Sequence, residues 1–110
     1  MFKKILTVFI LFSFFNPSLT HAQNIKDLFM TGITALQANK NDEAIKSFEN
    51  IIELKPDFAP AYNFMGMAYK AKGKNANEII PYFEKAIAYD PNYAMAYDNL
   101  GKAYYGMGDV

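Results

Sequence analysis

The chain of 110 residues has no cysteine, no tryptophan and no arginine, and its one histidine, His21, stands near the N-terminus. Without cysteine there can be no disulfide and no thiolate nucleophile or metal ligand, so packing alone must hold the fold. Long apolar runs are also missing. The longest, Ile5 to Phe15, is interrupted by Thr7 and Ser13, and it is about half of the ~20 residues that a membrane-spanning helix needs.

That short run has a particular setting. Lys3 and Lys4 precede it, Asn16 and Pro17 break it, and the small residues Thr20 and Ala22 follow. A basic start, a short apolar middle and a small-residue end form the layout of a secretory signal peptide, here residues 1–22 with cleavage between Ala22 and Gln23. A transmembrane anchor is the competing reading, and the length of the run disfavours it. No cysteine follows, which excludes a lipoprotein anchor, so the expectation is an exported chain, periplasmic or secreted.

Removing the leader sharpens the other absences. Lys3, Lys4 and His21 leave with it, so that nine lysines face eleven acids and the net charge is about −2. Nucleic-acid binders carry a basic patch or stripe, and this balance points away from them. With no histidine or cysteine, and Ser47 the one serine left, the Ser-His-Asp and Cys-His arrangements and histidine-based metal sites are excluded. Asp42 with Glu43, and Glu49 with Glu53, could be imagined as paired acids. Acids at a helix start, however, are sufficiently explained by the helix dipole. No glycine-rich phosphate loop is present. The reading is therefore no enzyme, no cofactor and no metal.

What the chain does have is repetition. Ala61, Tyr62, Gly66, Ala68, Tyr69 and Gly73 recur as Ala96, Tyr97, Gly101, Ala103, Tyr104 and Gly108, each displaced by 35 residues, and Met65 returns as Leu100. A fixed displacement of this size signals an internal repeat. Phe58, Tyr62, Met65 and Tyr69 fall at helical intervals, as do Tyr93, Tyr97, Leu100 and Tyr104, and Ala44, Ile45, Phe48, Ile51 and Ile52. Pro56 and Pro91 each end a helix, because proline cannot continue the hydrogen-bond ladder and its predecessor avoids the helical region. Gly73, Gly108 and Asn39 suit the left-handed position after a helix.

These signals predict five helices after the leader, at about Ile25 to Gln37, Asn41 to Leu54, Ala59 to Ala71, Asn77 to Tyr89 and Tyr93 to Met107. Short connections force each helix antiparallel to the one before, and repetition stacks the pairs into an all-α solenoid. One irregularity stands out. Gly32 to Gly66 is 34 residues and Gly66 to Gly101 is 35, so an extra residue sits in "GKNANEIIPYF", with Asn77 expected as N-cap and Pro81 in the first turn.

Tyr62, Met65-Gly66, Tyr69, Phe83, Ala86 and Pro91 together resemble the tetratricopeptide repeat, whose signature is an aromatic, a Leu-Gly pair, a tyrosine, then Ala, Phe, Ala and Pro. The endings "FENIIELKPD" and "FEKAIAYDPN" are similar to that family's second helix and closing turn. In the first repeat Gly32, Ala44, Phe48 and Pro56 fit, while Leu28, Thr31 and Ala35 replace larger signature residues. Tyr97, Leu100, Gly101 and Tyr104 begin a third. The resemblance implies a right-handed α-solenoid with repeats at about 25–57, 58–92 and, in part, 93–110. Physically, the glycines permit close helix approach and the tyrosines fill the space between helices.

The resemblance also implies function: a noncatalytic protein–protein interaction scaffold whose first helices line a concave groove for a peptide or a partner's helix. Projected onto this sequence, the groove takes Phe29 and Ile33 from the first repeat, Asn63, Phe64, Met67 and Lys70 from the second, and Asp98, Asn99, Lys102 and Tyr105 from the third. Packing between neighbouring helices is the competing role for the apolar members. Arrays that clamp carboxylate-terminated tails place Lys and Asn where this chain has Phe29 and Ile33, so that specialisation is not expected. Two other functions are compatible with the sequence: the N-terminal region of a longer exported sensor or enzyme, and self-association through an uncapped last helix.

Overall fold

The computed structural model describes residues 17–107. The basic start and the whole apolar run of the expected leader, and the expected turn at Gly108, lie outside them. Five helices occur among the described residues: α1 (Pro17–Gln37), α2 (Asn41–Leu54), α3 (Ala59–Ala71), α4 (Ala76–Tyr89) and α5 (Ala94–Tyr105). Each packs on the next, and α3 also touches α1 and α5. The result is an all-α stack of helix-turn-helix pairs.

The turns follow from local chemistry. Asn39 (φ 61°) and Gly73 (φ 91°) adopt the left-handed conformation. Around them Lys40 N–H donates to the Ala35 carbonyl at 2.8 Å, and Lys74 N–H to the Tyr69 carbonyl at 3.0 Å. Asn39 and Gly73 N–H donate to the Leu36 and Lys70 carbonyls at 3.1 and 2.9 Å. Both ends are thus Schellman closures that satisfy carbonyls a helix end would otherwise leave open. After each proline turn the chain re-enters a helix in the same way, with Phe58 N–H donating to the Lys55 carbonyl and Tyr93 N–H to the Asp90 carbonyl, both at 3.1 Å.

Three boundaries differ from the sequence reading. The first helix begins at Pro17 rather than Ile25 and runs through Ala22 and Gln23; proline suits a first helical position because its missing donor would be unpaired there. The N-cap of α4 is Asn75, not Asn77. Glu78 N–H donates to Asn75 Oδ1 at 3.1 Å, and Asn75 N–H donates to Glu78 Oε2 at 3.0 Å. Only from Asn75 does the glutamate fall three residues on, where a capping box needs it. Pro81 consequently lies inside the helix. It cannot donate to the Asn77 carbonyl, and because both residues are exposed, water can satisfy that group. Lastly, α5 ends at Tyr105, with Gly106 as its C-cap.

The core repeats as the sequence does. Phe48 and Phe83 have essentially no exposed surface, and each ring lies against a glycine of the preceding helix. A Cβ on Gly32 would stand 2.6 Å from Phe48 Cε1, and one on Gly66 would stand 2.6 Å from Phe83 Cε1. Ala44, Ile51, Ala61 and Ala68 fill the remainder between α2 and α3 without exposure. Burying a large apolar side chain contributes about 1.5–3 kcal/mol by transfer bookkeeping. Tyr62 is buried and donates its hydroxyl to the Pro56 carbonyl at 2.6 Å, tying α3 to the turn before it. Tyr69 stacks on Tyr82, and Tyr62 on Tyr89, with ring centroids 5.0 and 5.4 Å apart. Burial, foremost, and the Tyr69 contact push the Tyr82 hydroxyl up to about 12. Tyr97 and Tyr104 depart from the core role expected of them, being 49% and 51% exposed.

Gly66→Ala is expected to lower unfolding free energy by about 1–3 kcal/mol, the cost of overpacking a tight contact, despite the gain of about 1 kcal/mol in helix propensity. Gly101→Ala, where a Cβ meets nothing within 4 Å, is expected to be neutral or stabilising. Urea unfolding of the two variants measures the difference; a Gly66→Ala protein as stable as the parent would contradict the close contact.

Candidate functional site

The first helix of each pair, α1, α3 and α5, forms a row, because α3 contacts both of the others. The expected groove residues lie on these three helices, yet they divide into two kinds. Phe29 and Phe64 are half-buried and join the first pair to the second. Their rings meet edge-on at 5.4 Å, and Phe29 also meets Phe58 at 5.7 Å and Phe48 at 6.1 Å. Ile33 packs against the same core. At this end of the row the apolar residues form a seam between repeats.

Asn63 is a correction. Placed by sequence among groove-facing residues, it has no exposed surface. Asn99 Nδ2 donates to Asn63 Oδ1 at 2.9 Å. The Asn63 amide in turn reaches the Tyr93 hydroxyl at 3.5 Å and the Met67 sulfur at 3.8 Å. A buried amide must find such partners or lose the desolvation free energy of the group. Asn63 therefore acts as a polar bolt between α3 and α5. Tyr93, which the sequence reading did not single out for the site, completes it. Its hydroxyl is raised above the ordinary tyrosine value by burial, an effect the Asn63 hydrogen bond opposes. Its position just before a helix after a Pro-Asn turn resembles that of Phe58, and nothing in the local sequence marks its hydroxyl for this role.

Beyond the bolt the row opens. Met67, Lys70 and Asn99, three of the expected groove residues, come together with Ala71 and Phe83 around a cleft of about 320 Å³. Its floor is apolar, and its rim carries one cation and one amide. Lys70 is exposed and has no acidic partner within ion-pair distance among the described residues. Asn99 spends one amide proton on Asn63, which leaves its carbonyl oxygen and its second amide proton for a ligand. Asp98, Lys102 and Tyr105 gather at a neighbouring cleft of about 440 Å³ with Tyr97 and Gly101. There Lys102 Nζ lies 2.8 Å from Asp98 Oδ2, so the two charges neutralise each other. A further cleft of about 360 Å³, at Met30, Thr34, Ala38 and Glu43, lies between α1 and α2.

Asp42 pairs with Lys72 at 2.6 Å across the first helix pair and its neighbour, while Glu43, Glu49 and Glu53 face solvent. Among the described residues no cluster of three or more His, Cys, Asp or Glu could hold a metal ion. No described helix is long and apolar enough to cross a membrane.

Helix pairs closed by a phenylalanine on a glycine, joined at proline turns and aligned through their first helices, define a helical-repeat protein. The tetratricopeptide repeat family model matches residues 28–58 and 59–93, and the chain belongs to that family. No curated protein matches it. Membership makes the chain a protein–protein interaction module, of a family that is typically noncatalytic.

Asn63→Ala is expected to cost about 1–3 kcal/mol of stability, since it removes the hydrogen bonds that join α3 to Asn99 and Tyr93 and empties a fully buried site. Asn99→Ala removes the donor to the fully buried Asn63 Oδ1 and is expected to cost a similar amount. Chemical denaturation of both variants gives the comparison; a negligible cost for either would remove the Asn63–Asn99 bridge from the seam.

Proposed function

We propose that the chain is a noncatalytic scaffold of the bacterial envelope that holds a peptide or a partner's helix along α1, α3 and α5. Its principal seat is the cleft of Met67, Lys70 and Asn99. The observation that carries this reading is the composition of that cleft: an apolar floor from Met67 and Phe83, an unpaired lysine, and an amide with unused hydrogen-bonding capacity. An apolar surface with a few convergent polar groups is what a ligand site requires. The chemistry favours a ligand that places an apolar side chain on Met67 and a carboxylate or peptide carbonyl beside Lys70 and Asn99. Rigid support comes from the Asn63 bolt beneath, which holds Asn99 before any ligand arrives and so lowers the ordering cost of binding.

The envelope location rests on the N-terminal pattern of Lys3, Lys4, the short apolar run and Ala22.

Expressed with its own N-terminus in a bacterium, the chain is expected in the periplasmic or secreted fraction, beginning at Gln23 by mass spectrometry. In a peptide-library pull-down it should enrich ligands carrying an acidic residue near an apolar one. Lys70→Glu should weaken that enrichment about tenfold, the effect of opposing a charged ligand group at a binding rim. An uncleaved cytosolic product would sink the envelope reading. Enrichment unchanged by Lys70→Glu and by Met67→Glu would remove the cleft as the seat.

A further inference from the structure

The chain holds eight tyrosines and neither cysteine nor tryptophan, so its phenols are the side chains from which a one-electron oxidant most readily takes an electron. Four of them meet in two stacked pairs between α3 and α4. Tyr69 and Tyr82 have ring centroids 5.0 Å apart and planes 24° from parallel; Tyr62 and Tyr89 stand at 5.4 Å and 28°. The pairs differ in what they leave free. Tyr62 is 5% exposed, and its hydroxyl is committed to the Pro56 carbonyl at 2.6 Å. Tyr69 and Tyr82 are both half-buried, and their hydroxyls are neighbours: after burial, the Tyr69 hydroxyl is the next cause of the rise that takes the Tyr82 hydroxyl to about 12. Two near-parallel rings whose hydroxyls lie side by side point the same way. The Cε carbons flanking each hydroxyl, which carry much of the unpaired electron of an oxidised phenol, are therefore neighbours too.

A cleft of about 440 Å³ opens on this pair, lined also by Lys74, Asn77, Glu78 and Pro81. It admits water and a small oxidant to both rings. The connection between the two helices is fixed at each end. Lys74 N–H donates to the carbonyl of Tyr69 itself at 3.0 Å, and Asn75 and Glu78 close the capping box that starts α4. The rings are thus held in register by the turn beside them.

We propose that Tyr69 and Tyr82 form a dityrosine cross-link when the chain meets a one-electron oxidant such as a peroxide-derived radical, and that the bond staples α3 to α4 in a chain without disulfides. Each phenol gives one electron to the oxidant and one proton to water in the cleft. The two phenoxyl radicals then join Cε to Cε. The hydrogen on each coupled carbon moves through water to the oxygen of its own ring, which restores both phenols, so two hydrogen atoms are lost in all. A seated pair reacts at an effective concentration far above that of free chains meeting in solution. Tyr97, Tyr104 and Tyr105 are 49%, 51% and 72% exposed, yet none has a stacked tyrosine among the described residues, and they couple by collision.

The test oxidises the full chain in dilute solution with illuminated ruthenium tris-bipyridyl and persulfate, each persulfate accepting two electrons to leave two sulfates. Trypsin releases Tyr82 as the single tyrosine of the peptide Asn75 to Lys85. That peptide is expected joined to the one carrying Tyr69, lighter by two hydrogen atoms, and the chain should gain dityrosine fluorescence whose yield per molecule does not change on dilution. Tyr69→Phe and Tyr82→Phe keep a ring in the stack but form no phenoxyl radical, and each should lower the yield about tenfold or more. Tyr105→Phe should leave it unchanged. The linked chain should unfold at a higher urea concentration, because the bond removes loop freedom from the unfolded state. The proposal is overturned by a yield that falls on dilution, a linkage that fragmentation places on Tyr62 and Tyr89 or on any other pair, fluorescence that survives both phenylalanine substitutions, no linked peptide, or a linked chain no more resistant to urea.

Discussion

A phenylalanine ring packed directly against a helix glycine, with no side chain between, is the contact on which the rest of the fold depends. It occurs at Phe48 on Gly32 and at Phe83 on Gly66. The ring can come that close only because the glycine has no Cβ, and glycine weakens a helix interior by about 1 kcal/mol relative to alanine. The burial gained by the ring exceeds that cost. Once it is seated, the helices of a pair have one separation, and the flanking tyrosines have one place to stack. The short proline turns then carry the same geometry to the next pair, so that a local packing rule becomes a stack.

The two seams between successive pairs are built from different chemistry. Between the first and second pairs it is aromatic, with Phe29 set edge-on to Phe58 and Phe64. Between the second and third it is polar, with Asn99 donating to a fully buried Asn63. Aromatic contacts tolerate small rotations, whereas a buried amide penalises any displacement that breaks its bonds. The polar seam lies directly under the open cleft, where a fixed surface matters most for recognition. Asn63 thus serves the site by holding Asn99 rather than by meeting a ligand.

The helices and their pairing were legible in the sequence because they rest on spacing. Glycines 34 and 35 residues apart, prolines at helix ends and helical apolar intervals each report a backbone requirement. Asn39 and Gly73 were recognisable for the same reason, since few residues adopt positive φ. The α4 start was misplaced because Asn75 and Asn77 are equally good caps when considered alone. Glu78, three residues after Asn75, decides between them, and its carboxylate outweighs the inconvenience of Pro81 inside the helix. The site was legible only in part. A helical stripe identifies which residues share a face, but not whether a neighbouring helix covers it. Asn63 and Met67 share a stripe; one is sealed by Tyr93 and Asn99 from the next pair, and the other opens on the cleft. Tyr97 and Tyr104 repeat Tyr62 and Tyr69 in sequence but lack the covering helix among the described residues, so identical spacing accompanies opposite exposure.

If ring-on-glycine closure is what confers order on each helix, protection should follow it along the chain. Native-state amide hydrogen exchange reads this helix by helix. The slowest amides are expected in α2, α3 and α4, around Phe48, Gly66 and Phe83. Those of α5, where only Ala96 and Ala103 are buried, should exchange through local opening well before the rest unfolds. Protection in α5 equal to that in α3 would contradict the claim that the phenylalanine–glycine contact, rather than helix formation alone, stabilises the stack.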